Sequence, residues 1–302
     1  MNAPALSIHS VSKLFGDHKA VDAVSLDVAD GECLALVGHN GAGKTTLFKV
    51  ILGLMRASEG DISIRGLAPG DHDVNLGFLP ENVVFQKNLT GPEVLSFFSR
   101  LKGCRRQHIP ELLNRVDLKD VGKKRIGAYS KGMRQRLGLA QALIGKPDLL
   151  ILDEPTSGLD PSSRRRFYQM LDDLREDGTT ILLSSHALSE VESYTSRVGI
   201  MRDGKLLAHG PMSDLARNAG LPVRVNVLTT LAEQDRNIVS GMKGVLCETS
   251  PAENLLRITC GADQKLEIVR RITSEARGLK DLQIMPPTLD DIYEHYQNGA
   301  AQ

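Results

Sequence analysis

The sequence predicts an α/β fold followed by a small α+β domain, and three observations carry that expectation. An apolar run, Glu32–Val37, leads into a Gly-rich loop and then a helical stretch. Leu149–Leu152 and Thr180–Ser184 read as short buried strands joined by a helical segment, Ser162–Glu176, which is the strand–helix–strand unit of a parallel sheet. Past Asn218–Pro222 the pattern changes to short alternating strands and amphipathic helices.

The elements follow in order. Ser7–Ser12 and Val24–Val28 alternate apolar and polar residues, the period of half-buried strands. Thr45–Leu54 is helical, and Asp61–Arg65 returns to strand alternation. Residues 88–145 are mostly helical. Thr90 and Glu93 form a capping box before an apolar face of Val94, Leu95, Phe97, Phe98 and Leu101; Glu111–Leu118 is a second helix, and a third starts at Ser130. Asp203-Gly204 marks a hairpin between Val198–Arg202 and Lys205–His209. Val223–Val227, Val245–Cys247 and Leu255–Thr259 are short strands, and Leu266–Ala276 carries helical spacing at 266, 269, 272 and 276. Pro286-Pro287 stops the next strand, and Thr288 caps a final helix whose first turn holds Asp290 and Asp291, where the helix dipole favours acid.

Composition excludes several classes. Lys plus Arg total 37 and Asp plus Glu total 37, so there is no global basic field for nucleic acid or anionic lipid. Met1–Ala5 lacks the regions of a signal peptide, and no apolar run is long enough to span a bilayer. These features point to a soluble, cytoplasmic chain. Cys33, Cys104, Cys247 and Cys260 are widely spaced with no Cys-x-x-Cys, and they read as small buried hydrophobes rather than a disulfide or metal framework.

Gly38-His39-Asn40-Gly41-Ala42-Gly43-Lys44-Thr45 satisfies the phosphate-loop pattern G-x-x-x-x-G-K-[ST], and Thr46 follows it. The glycines let backbone amides point inward, and with the helix N-terminus they form an anion nest. In such a loop Lys44 reaches the β- and γ-phosphates and Thr45 places a hydroxyl on magnesium. At ordinary composition the pattern arises by chance in about one chain in a hundred of this length. The run Leu149–Leu152 ends in Asp153-Glu154; Asp153 suits a magnesium shell and Glu154 suits the general base on an attacking water. His186 follows the next buried strand, and a parallel sheet brings both strand ends to the edge that carries the phosphate loop.

The order of phosphate loop, helical insertion, Ser-x-Gly segment, Leu-Leu-Ile-Leu-Asp-Glu, Ser157-Gly158-Leu159-Asp160 and His186 closely resembles the nucleotide-binding subunit of ABC transporters over residues 6–218. The resemblance implies a P-loop ABC-type nucleotide-binding domain over 1–219, with a mixed core sheet and a helical subdomain at about 82–145, and a small accessory or regulatory domain over 220–302. It implies ATP and Mg2+ as cofactors, and a head-to-tail homodimer in which one chain's phosphate loop and the other's signature segment hold each ATP. A transmembrane permease would place the chain on the cytoplasmic side of the inner membrane, with no nucleic-acid partner. Ser130 and Gly132 match the phosphate-contacting signature positions within Tyr129-Ser130-Lys131-Gly132-Met133, where the family usually has Leu-Ser-Gly-Gly-Gln. Lys131 and Met133 depart from that pattern, and Lys131 either adds charge near phosphate or is solvated. Glu81 stands where the family usually places a magnesium-contacting Gln; Phe15 matches the aromatic that stacks on adenine, and Asp160 the residue that contacts the opposite subunit.

Four runs, Leu79–Val83, Tyr129–Leu143, Ala219–Arg224 and Pro287–Tyr293, resemble one subgroup, the ATPase of the copper-processing transporter that matures nitrous oxide reductase. That resemblance implies a small permease, a periplasmic copper-site maturation protein in the complex, and a sulfur or copper species as cargo. Export of a drug, lipid or polysaccharide is the alternative. A chromosome-acting ATPase would need a long coiled coil, and a ribosome-acting one would need two phosphate loops; the chain has neither.

Overall fold

The computed structural model describes residues 4–121, 123–195 and 197–299; Met1–Ala3, part of the N-terminal segment read above, lie outside them. The chain divides into two compact units, Met1–His209 and Gly210–Gln302. The division falls ten residues before the boundary expected from composition, because Met212–Asn218 forms a helix assigned to the second unit.

The first unit begins with β1 (Leu6–Phe15), β2 (His18–Val28), β3 (Cys33–Val37), α1 (Lys44–Ile51), β4 (Glu59–Ile64) and β5 (Leu76–Leu79). A helical stretch follows, with α2 (Gly91–Leu101), α3 (Ile109–Arg115) and α4 (Lys131–Ala142). Then come β6 (Leu149–Leu152), α5 (Pro161–Glu176), β7 (Thr180–Ser185), α6 (Leu188–Tyr194), β8 (Arg197–Arg202) and β9 (Lys205–Pro211). An antiparallel sheet orders its strands β2–β1–β4. A second sheet runs β5–β6–β7–β3–β8–β9, with β5, β6, β7, β3 and β8 paired in parallel. The α/β pattern read from the strand–helix–strand unit is present, as is the mixture of sheet types that the family resemblance implied.

Burial explains the run-like sequences of the central strands. β6 and β7 are buried at every position, so neither shows the alternation that marks β2, whose Val21, Val24, Leu26 and Val28 face inward. Leu34, Leu36, Ile151 and Leu182 of the sheet meet Leu47, Phe48 and Ile51 of α1 in one core. The capping box of α2 forms as expected, with the Thr90 amide donating to Glu93 Oε2 at 2.7 Å. The expected apolar face of α2 is only partly used: Val94 and Leu95 are buried, whereas Phe97 and Leu101 are exposed. The second helix stops at Arg115 rather than Leu118, because Asp117 takes a left-handed backbone with φ 53°. Asp203 and Gly204 both carry positive φ, the conformation a tight two-residue hairpin requires.

The second unit contains α7 (Met212–Asn218), β10 (Val223–Thr229), α8 (Ala232–Arg236), β11 (Leu246–Ser250), β12 (Leu255–Cys260), α9 (Lys265–Glu275), β13 (Leu279–Met285) and α10 (Leu289–Gly299). Its antiparallel sheet has the order β11–β12–β10–β13, a split β-α-β arrangement. Val223, Val225 and Val227 alternate inward on β10 and pack with Leu256, Ile258, Cys260, Ile268 and Ile272. Of the positions read for α9, Ile272 is buried and Val269 and Ala276 are half-buried, whereas Leu266 is 71% exposed and the buried Ile268 takes its place on the inner face. Thr288 caps α10, its Oγ1 accepting from the Asp291 amide at 3.2 Å. Among the described residues, no helix is long and apolar enough to cross a membrane.

The α9 assignment makes a stability prediction. Ile268→Ala should cost about 2–5 kcal/mol in urea unfolding, the range for emptying a packed aliphatic site. Leu266→Ala should cost less than about 0.5 kcal/mol, as surface substitutions do.

Candidate functional site

Parallel pairing brings the C-terminal ends of β3, β6 and β7 to one edge of the sheet. The loop after β3, residues 38–43, turns into α1 with no side-chain cap, and its glycines explain how. Gly41 and Gly43 have φ of 88° and 100°, where other residues are strained. A Cβ on Gly43 would lie 2.4 Å from the Ala20 carbonyl oxygen, so the β1–β2 hairpin closes against the loop. Ala42 is buried, while Asn40 and Gly41 are exposed. His39 Nδ1 lies 2.7 Å from the Asn40 carbonyl oxygen. Phe15 ends β1 with its ring 48% exposed and the Lys13 ammonium 5.4 Å from its centroid.

Lys44 is buried and folds back over the loop, donating to the Gly38 carbonyl at 2.6 Å and the His39 carbonyl at 3.2 Å. Burial lowers its pKa below the usual lysine value, and the charges of Glu154 and Asp153 partly offset that effect. Thr45 Oγ1 donates to Asp153 Oδ2 at 2.9 Å. Thr46, next on α1, is half-buried. Ser184 Oγ donates to the other oxygen, Asp153 Oδ1, at 2.6 Å, and accepts from the Glu154 amide at 2.9 Å. The set around Asp153, a hydroxyl and a carboxylate, consists of hard oxygen donors, the chemistry that suits magnesium.

Glu154 has φ 48°, a left-handed backbone rare for a residue with a side chain. Its two oxygens differ. Oε2 lies 2.7 Å from His186 Nδ1 and accepts from the His186 amide at 3.3 Å. Oε1 is buried without a hydrogen-bond partner, and the Lys44 ammonium stands 3.7 Å from it. Lys44, Thr45, Asp153, Glu154 and His186, singled out from sequence, are therefore gathered by direct contacts.

Ser130, Gly132 and Asp160 form a second group. Ser130 is the N-cap of α4, accepting from the Met133 amide at 3.2 Å. A Cβ on Gly132 would lie 3.0 Å from Ser163 Oγ, and Ser163 in turn is held by Asp160, the N-cap of α5. Hydrogen bonds from Ser162 and Ser163 hold the Asp160 carboxyl well below the usual carboxylate range. The Lys131 ammonium lies over Gly158, 2.5 Å from where a Cβ would stand. Glu81 is exposed; its placement comes from its backbone carbonyl, which accepts from Gln135 Nε2 at 3.2 Å while the same amide donates to the Pro155 carbonyl at 3.0 Å.

Two site residues had no assigned role in the sequence reading. Ser184 joins Asp153 to Glu154, and the clue was the register Leu152↔Leu183, which sequence does not display. Gln135 ties the segment after β5 to the segment after β6. A buried Gln on an amphipathic helix was its only signal.

The chain resembles known proteins in four respects. The ABC transporter family profile matches residues 21–157. The chain is 34% identical over 294 residues to the ABC transporter ATP-binding protein YhaQ of Bacillus subtilis, covering 95% of this chain and 97% of that one. It is 34% identical over 306 residues to the daunorubicin resistance ATP-binding protein DrrA3 of Streptomyces coeruleorubidus, covering 96% and 95%. A solved structure described as an ATP-binding subunit of an ABC transporter superposes with a TM-score of 0.65 at 32% identity, covering 72% of this chain and 94% of that one.

The Ser184 bridge predicts a stability loss. Ser184→Ala strips Asp153 Oδ1 and the Glu154 amide of a shared partner, and should cost about 1–3 kcal/mol in denaturant unfolding, the range for an orphaned buried polar group.

Proposed function

The chain belongs to the ABC transporter ATP-binding proteins, and from that premise we propose that it binds MgATP in a head-to-tail dimer and couples hydrolysis to a membrane permease. It is an ABC-family ATPase. The convergence of Lys44, Thr45, Asp153, Glu154 and His186 at one sheet edge supports the reading.

In this reading the loop amides of residues 38–43 and the Lys44 ammonium hold the terminal phosphates, largely by positioning and charge. Thr45 and Asp153 would hold magnesium, which when bound offsets phosphate charge. His186 occupies Oε2 of Glu154, so Oε1 is the oxygen left to accept a proton from an attacking water. Phe15 offers an exposed ring for the adenine. Ser130 and Gly132, at the N-terminus of α4, and Asp160 face the partner's nucleotide in the proposed dimer. Glu81 would offer a carboxylate at the position where the family usually places an amide that contacts magnesium. The permease would hold the chain at the cytoplasmic face of the inner membrane.

For cargo, the runs Leu79–Val83, Tyr129–Leu143, Ala219–Arg224 and Pro287–Tyr293 support a transporter that delivers a sulfur or copper species for copper-cluster assembly in nitrous oxide reductase, with a periplasmic maturation protein in the complex. A second reading, drug export, is favoured by the likeness to the daunorubicin resistance protein DrrA3.

Two outcomes test these readings. Glu154→Gln should retain ATP binding, lose about 100-fold or more in turnover, as removal of a general base does, and accumulate as an ATP-bound dimer in sedimentation; unchanged turnover would remove Glu154 as the base. Deleting the gene should leave purified nitrous oxide reductase without its copper cluster, restored by the wild-type gene and not by Glu154→Gln. A fully loaded reductase would remove the copper reading and leave the exporter.

A further inference from the structure

The segments that follow β6 and β7 touch twice. The first contact is Glu154 with His186. The second lies two residues beyond Glu154 and four beyond His186, where Thr156 Oγ1 donates to Glu190 Oε2 at 3.3 Å. Glu190, on α6, sends its other oxygen to the Arg164 guanidinium of α5 in an ion pair. Arg164 Nη2 donates to the Leu159 carbonyl at 3.1 Å, within the turn that carries Ser157–Asp160. Arg164 Nε is buried without a hydrogen-bond partner, so the guanidinium is placed by these two contacts. Beneath them Tyr168 of α5 stacks on Tyr194 of α6, with centroids 4.2 Å apart and planes 4° apart, and the Tyr168 hydroxyl lies 3.5 Å from Thr156 Oγ1.

We infer that Glu190 and Arg164 are positioning residues for ATP hydrolysis, forming a clamp that holds the Glu154–His186 pair and the Ser157–Asp160 turn in one fixed relation. The inference rests on the reading of Glu154 as the group that activates water. Three physical points carry it. Glu154 holds a strained left-handed backbone, and such a conformation persists only where its surroundings over-determine it; the Thr156–Glu190 bond anchors the chain just past the strained residue. An ion pair this shielded, with side chains 32% and 17% exposed, is weak as a source of stability because desolvation offsets its attraction; its geometric effect is larger. The planar guanidinium grips a carboxylate and a carbonyl at once in a rigid fork, whereas a lysine ammonium offers rotatable donors on a flexible stem. The clamp therefore joins α5, α6 and both loops that flank Glu154, and a shift in any one of them reaches the hydrolytic oxygen.

The test measures steady-state ATP turnover of the purified full chain carrying Glu190→Gln, Arg164→Met, the two together, or Thr156→Val, beside wild type and Glu154→Gln. Each clamp variant should lose about tenfold in kcat with KM for ATP within about twofold, since misplaced catalytic groups slow the chemical step more than they weaken binding. The double variant should lose no more than either single one, because the residues act as a unit. Thr156→Val, similar in volume and sparing the ion pair, should show the same loss in kcat, out of proportion to the fall in thermal midpoint that removing one buried hydroxyl brings. Wild-type kcat in the clamp variants while Glu154→Gln is inactive would overturn the clamp alone. Losses that add in the double variant and follow the fall in thermal midpoint would reduce the pair to a structural role. Wild-type turnover in Glu154→Gln would overturn the reading of the base, and the clamp inference with it.

Discussion

Parallel pairing of β6 with β7, and of β7 with β3, is the constraint on which the site depends. Ladder hydrogen bonds and near-complete burial hold these strands in one register, so their C-terminal ends finish side by side. The phosphate-type loop leaves one end, the Asp153-Glu154 pair another, and Ser184 and His186 the third. A slip of one residue would turn each side chain to the opposite face and carry Ser184 away from Asp153. The apolar core beneath thus does more than stabilise the fold, because it sets distances between polar groups above it.

Those polar groups are held at some energetic cost. Lys44 is buried, and the unfavourable solvation of its ammonium is met by two carbonyls and a nearby carboxylate. Glu154 sits in a backbone region that costs a side-chain-bearing residue about 1 kcal/mol or more. Gly43 abuts the Ala20 carbonyl so closely that no side chain fits. Buried charge, strained backbone and a carboxylate oxygen left without a hydrogen bond at one sheet edge suit a preorganised electrostatic site, and they are poor choices for stability alone.

Contacts outside the phosphate loop connect this edge to the rest of the first unit. Gln135 reaches from α4 to the carbonyls of Glu81 and Pro155, and Arg164 and Glu190 join α5 to α6. Ser130 and Asp160 are both helix N-caps. Each satisfies backbone amides that would otherwise be left without partners, so the side chains at these helix starts are fixed in position before any ligand arrives.

How much was legible follows from the range of each interaction. Local chemistry was readable in the sequence: the glycines and lysine of residues 38–44, the apolar run ending in Asp153-Glu154, the capping box at Thr90, the cap at Thr288, and the Asp203-Gly204 turn all act over a few residues. Properties set by distant neighbours were not. The inward face of α9 depends on what β10 and β12 present to it, so Leu266 looked apolar enough to bury and yet faces solvent. The role of Ser184 depends on a strand register, the placement of Gln135 on two carbonyls 54 and 20 residues away, and the Arg164–Glu190 pair on the packing of two helices. The sequence by itself determined which chemical groups this protein carries and the local turns that expose them. Only the tertiary structure decided which of those groups meet, because ladder register and core packing are properties of segments far apart in the chain.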